Sequence, residues 1–99
     1  MRIACILLAG FEDQEFRGPY DRYRDSGHTV TVIGHQAGEV LLGRHARERA
    51  VAALGIDEAS PEAFDEVFIP GGAPSSTLNE DERFLRFIRR VLGRPGTVS

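Results

Sequence analysis

The chain has no lysine; all twelve of its basic residues are arginine. That excludes chemistry built on a Schiff-base lysine or on the lysine of a phosphate-binding loop. Tryptophan is absent too, and there is a single cysteine, Cys5. One cysteine excludes an internal disulfide and a multi-cysteine zinc site, and it fits a reducing compartment. No apolar run approaches the ~20 residues of a membrane-spanning helix. The apolar opening Ile3–Leu8 lacks the small-residue cleavage site of a signal peptide, so a buried strand and a cytoplasmic protein are expected. Fifteen acidic residues against twelve basic ones leave a net charge of −3. That is too little for an acidic disordered tail and the wrong sign for a nucleic-acid binder.

What is present is an ordinary globular mixture, 41% hydrophobic and 27% charged, in 99 residues. One small domain over 1–99 is expected. Residues Arg2 to Leu8 read as a strand covered on both faces, closed by Ala9-Gly10. Acidic residues then crowd the first turn of a helix, where the positive end of its dipole favours them. Gly18-Pro19 is expected to interrupt this helix before it continues to Asp25. Phe16, Tyr20 and Tyr23 fall on one stripe, and Gly27 supplies a left-handed stop. Thr29 to Ile33 is β-branched or apolar throughout and forms the second strand, completing a βαβ unit.

Glu39–Leu42 and Arg47–Val51 flank Gly43-Arg44-His45 as a short hairpin. Ser60 and Pro61 open a turn of helix, with Ser60 as its cap. Glu66 to Ile69 is a further strand running into Pro70-Gly71-Gly72. In the last helix Asn79 is the expected cap, with Glu82 completing a capping box. Phe84, Phe87, Ile88, Val91 and Leu92 make its buried stripe, the arginines at 83, 86, 89 and 90 its solvated side, and Gly93 and Pro95 its stop.

Candidate chemistry is sparse. Glu12 and Asp13 follow the first strand, and the carboxyl ends of strands line the crevice of an open α/β sheet. A carboxylate there can act as acid, base or anchor for a nucleophile; equally, both residues can do no more than complement the helix dipole. Gly71 and Gly72 permit a tight turn whose N–H groups can hold an oxyanion, or form a turn with no chemistry at all. Cys5, inside a strand, reads as inert filling. His28, His35 and His45 have no metal-ligand spacing, so no metal and no cofactor are expected.

Taken in order, Gly10-Phe11-Glu12-Asp13-Gln14-Glu15, Gly27-His28-Thr29-Val30, Gly43-Arg44-His45, Ser60–Asp65, Ile69-Pro70-Gly71-Gly72, Leu78-Asn79-Glu80 and Gly93-Arg94-Pro95 resemble the PfpI-type intracellular protease and deglycase family. That family lies within the class I glutamine amidotransferase-like superfamily. The resemblance implies a flavodoxin-like three-layer α/β sandwich with a mostly parallel sheet. It implies a cysteine on a strand-to-helix elbow, next to a histidine, with a glutamate after the first strand contacting that cysteine. Glu12 matches the glutamate; Gly71 and Gly72 match the oxyanion glycines.

Two departures stand out. After Pro95 come only Gly96-Thr97-Val98-Ser99, so the Cys-His pair is not among these residues. Where protease-like members often carry an acidic residue supporting the histidine, this chain has Ser75. The resemblance therefore implies an incomplete domain, cut before the elbow strand. Its parent activity would be a cysteine-dependent hydrolase, deglycase or glyoxalase-type stress protein, acting on a small carbonyl or a glycated or peptide substrate. The isolated chain is expected to be inactive. The alternative is a non-catalytic remnant or a binding and oligomerisation module. A strand edge left unpaired predicts homo-oligomers or aggregation. A receiver-type regulatory domain is disfavoured because it needs a lysine.

Overall fold

The computed structural model describes residues 1–70 and 81–93. Gly71, Gly72, Ser75, Asn79 and the tail after Gly93 lie outside the described residues. Four strands form one parallel sheet: β1 (Arg2–Ile6), β2 (Thr29–Gly34), β5 (Leu54–Gly55) and β6 (Glu66–Phe68), in the order β5-β2-β1-β6. β1 is central, with Ile3 opposite Val30 on one side and Glu66 on the other. β6 has one neighbour among the described residues. The antiparallel pair β3 (Val40–Leu42) and β4 (Arg49–Val51) makes the expected hairpin.

Alternation along β1 builds two cores. Ala4, Ile6 and Leu8 face Phe84, Phe87 and Val91 of the helix α2 (Glu82–Leu92). Cys5 and Leu7 face Phe11, Phe16, Leu41 and Ala52, which belong to the helix α1 (Asp13–Asp25), the loop before it and the hairpin. A sheet clothed on both faces requires strands apolar on both sides, which is why Ile3 to Leu8 is unbroken by polar residues. Each phenylalanine of the α2 stripe contributes about 1.5–3 kcal/mol by leaving water.

Three local expectations need correction. Gly18-Pro19 does not interrupt α1, which runs unbroken from Asp13 to Asp25 with Pro19 inside it. Proline costs the helix one N–H donor. Phe16 before it and Tyr20 and Tyr23 after it remain on the sheet-facing stripe, with the Phe16 and Tyr20 rings 5.1 Å apart and Tyr23 5.4 Å from Phe68. Burial on both sides of the proline outweighs one lost bond. The cap of α2 is Asp81, accepting from the Arg83 N–H at 3.0 Å, whereas the expected cap, Asn79, lies outside the described residues. Gly93 closes α2 as expected, at φ −85°. Ser60 precedes a 3-10 turn (Pro61–Ala63), but its hydroxyl donates to Glu62 instead of capping that turn.

The stop of α1 is as expected. Gly27 takes φ +88°, its N–H donates to Arg24 O, and the His28 N–H donates to Tyr23 O, a doubly bonded left-handed cap. The arginines of α2 are more than a solvated side: Arg83 pairs with Asp57 and Asp81, and Arg90 with Glu62.

Candidate functional site

The loop after β1 turns at Gly10, φ +88°, a conformation open to glycine and costly for other residues. It then presents Phe11, Glu12 and Asp13 at the carboxyl end of the sheet. Phe11 is fully buried, its ring edge-on to Phe16 at 5.1 Å. The hairpin is stitched to this loop: the Gly10 N–H donates to Leu42 O at 2.9 Å and the Arg44 N–H to Phe11 O at 2.8 Å.

Glu12, the residue expected to carry chemistry, is half-buried at the N-cap of α1, yet its side chain makes no cap hydrogen bond. Its Oε2 instead faces two groups of the hairpin tip, the Arg44 guanidinium (NH1) at 3.8 Å and the His45 imidazole (Nε2) at 3.7 Å. Both contacts are longer than hydrogen bonds, so the carboxylate keeps accepting capacity for a further donor. A cavity of about 260 Å³ opens here, bounded by Glu12, Asp13, Gln14, His45 and Arg47.

Asp13 has a different character. It is 2% exposed, the one buried charged side chain among the described residues. Oδ1 accepts from the His45 N–H at 2.9 Å; Oδ2 accepts from Arg47 at 3.0 Å and Glu48 at 2.8 Å. Burial pushes its carboxyl up, but these amides outweigh burial and hold it below the ordinary carboxylate value. A Cβ on Gly43 would lie 2.2 Å from Oδ2, so only glycine fits there. The dipole reading of Asp13 was legible in its position; its amide partners, 32 to 35 residues away, were not. Arg44 was also missed, because nothing in the local pattern brings it to Glu12.

One donor atom each from Glu12, Asp13 and His45 lies within 4.8 Å of the others. Both Asp13 oxygens are already engaged by amides, so this proximity is explained by hydrogen bonding and gives no ground for a metal. Cys5 is fully buried, and burial pushes its thiol far up, as expected of an inert sulfur. His28 meets the N-terminal amine at 2.9 Å; His35 packs edge-on to Phe84 with Asp81 3.9 Å away. Gly71 and Gly72 lie outside the described residues, so their distance from Glu12 is not part of this geometry. Among the described residues, no helix is long and apolar enough to cross a membrane.

Fold and site together define an open parallel α/β sandwich with an acidic residue at the carboxyl end of its central strand. The DJ-1/PfpI family model matches residues 1–99, and the chain belongs to that family. It is 38% identical over 96 residues to protein/nucleic acid deglycase 2 of Escherichia coli (strain K12), covering 95% of this chain and 56% of that protein. It is 32% identical over 91 residues to general stress protein 18 of Bacillus subtilis (strain 168), covering 92% and 53%. The chain thus spans about half the length of these curated relatives. Among solved structures, a two-domain protein from Anabaena variabilis with DJ-1/ThiJ/PfpI-like and ferritin-like domains superposes with a TM-score of 0.88 at 27% identity. That match covers 94% of this chain and 28% of the other. The flavodoxin-like sandwich expected from sequence is therefore the fold of this chain.

Proposed function

We propose that these residues form the acid-bearing part of a cysteine-dependent deglycase- or glyoxalase-type site, and that its thiolate comes from outside residues 1–99. The observation that carries this reading is Glu12. It stands at the end of the central strand, half-buried, unused by its own helix and open to a further donor. In this reading Glu12 poises the thiolate and the amides of Gly71 and Gly72 hold the developing oxyanion. Cys5 is the chain's only cysteine and sits inside the core, which supports a chain that is inactive alone. The substrate class is a small carbonyl compound or a glycated or peptide group, in a reducing compartment such as the cytoplasm. The chain associates with copies of itself in this reading. Supporting that, Val40, Leu42 and Val51 stand about half exposed on the hairpin, and β6 has one neighbour among the described residues.

The test is methylglyoxal turnover by this chain alone and by this chain joined to the remaining part of the E. coli deglycase 2. The expected result is no turnover by the first and thiol-dependent turnover by the second. Turnover by the 99 residues alone would sink the reading. A joined chain that folds and stays inert would favour a second one, a non-catalytic module, which the burial of Cys5 also permits.

A further inference from the structure

Asp13 is spent on the hairpin tip. Its three amide donors are the His45, Arg47 and Glu48 N–H groups, all from the turn that carries Arg44 and His45 to Glu12. Glu12 has no bond to its own helix that would fix its side chain. Its two polar neighbours, the His45 imidazole and the Arg44 guanidinium, belong to that same turn, at 3.7 and 3.8 Å. Within the turn, Ala46 sits at φ +55°, in the left-handed region that is strained for a non-glycine residue. It lies between two of the amides that Asp13 binds. Strain of that kind persists only where surroundings over-determine the backbone, and the buried carboxylate does so here. A charge needed only for the helix dipole would be served equally well from an exposed position.

We propose that Asp13 is a positioning residue for Glu12: through its grip on the 45–48 amides it sets Arg44 and His45 against the Glu12 carboxylate and so fixes where that carboxylate points. The chain of action is Asp13 to the turn, the turn to the Arg44 and His45 side chains, and those side chains to Glu12. Gly43 belongs to the same device, since any Cβ there displaces the Asp13 carboxylate. Other charged groups nearby are Arg47, which flanks the cavity, and the Arg17–Glu48 pair at 2.8 Å on the outer side of the turn. The catalytic meaning of this device rests on the reading of Glu12 above, but its test needs no turnover. A failed turnover assay sinks that reading and leaves this one standing.

The experiment is NMR on the 99-residue chain. The change that Glu12→Gln causes in the His45 ring resonances is measured in four backgrounds: wild type, Asp13→Asn, Gly43→Ala and Arg17→Gln. His28 and His35 serve as internal references. The expected result is a resolved change in the wild-type and Arg17→Gln backgrounds and its loss in the other two. Amide exchange at His45, Arg47 and Glu48 should accelerate about tenfold or more in Asp13→Asn, while β1 and β2 stay protected. A His45 response that persists at full size in a folded Asp13→Asn chain overturns the proposal. So does global unfolding of that variant, with β1 and β2 amides exposed, because Asp13 would then hold the fold and not the site.

Discussion

Two carboxylates begin the two helices, and they are neutralised in opposite ways. Asp81 is held locally: the Arg83 guanidinium, with Nε and NH2 on its two oxygens, and the Arg83 N–H lie two residues on. Chiefly through the Arg83 side chain, its carboxyl comes down to about 2. Asp13 is held at long range, by amides 32 to 35 residues away, with no guanidinium involved. The first arrangement starts a helix. The second joins a helix to a hairpin and so shapes the surroundings of Glu12. A charged residue in the first turn of a helix thus has two uses, and its burial tells them apart.

The largest expected effects come from the cores behind each carboxylate. Phe11→Ala and Phe84→Ala should each destabilise by about 3–5 kcal/mol, read from denaturant midpoints. They should differ in one respect: only Phe11→Ala should also release the His45, Arg47 and Glu48 amides, read by hydrogen exchange. Equal release in both variants would break the comparison. Gly43→Ala comes next, at about 1–3 kcal/mol from overpacking against Asp13, with the hairpin affected before the sheet.

Acid titration sharpens the contrast. Both carboxyls lie below their ordinary value near 3.8 in the folded chain. Their stabilisation is therefore fully present above about that pH and fades as the pH falls, for Asp81 between about 3.8 and about 2. Asp13→Asn and Asp81→Asn should each flatten the acid limb of the stability curve, measured by thermal melts. At 1 M salt, where screening acts over ~3 Å, the Asp81 contribution should shrink and the Asp13 contribution persist, because Asp13 is out of water. The smallest effect is expected for Arg17→Gln, which removes two surface pairs, to Asp21 and Glu48, and should cost less than about 1 kcal/mol.

Much of the fold was legible because its signals are local. The unbroken apolar β1, the β-branched β2, the Gly27 stop and the α2 stripe each reside within a few residues. The errors share a cause in packing. Pro19 was read as a break because a helix in isolation would feel it, whereas the sheet holds α1 on both sides of it. Asn79 was read as the cap because its spacing to Glu82 fits a capping box; the observed cap, Asp81, gains Arg83 as a further partner. At the site, Glu12 was legible from its place after the first strand. The amide partners of Asp13 and the approach of Arg44 were not, because they depend on a hairpin tip folding back over some 30 residues.

The central claim is that Glu12 serves a thiolate supplied from beyond these residues. The most direct measurement is kcat/KM for methylglyoxal of this chain joined to the remaining part of the E. coli deglycase 2, with and without Glu12→Gln. The account predicts a loss of about 100-fold or more in a folded protein, the scale of a positioned acid or base. A Glu12→Gln protein that turns over at the unsubstituted rate would contradict it.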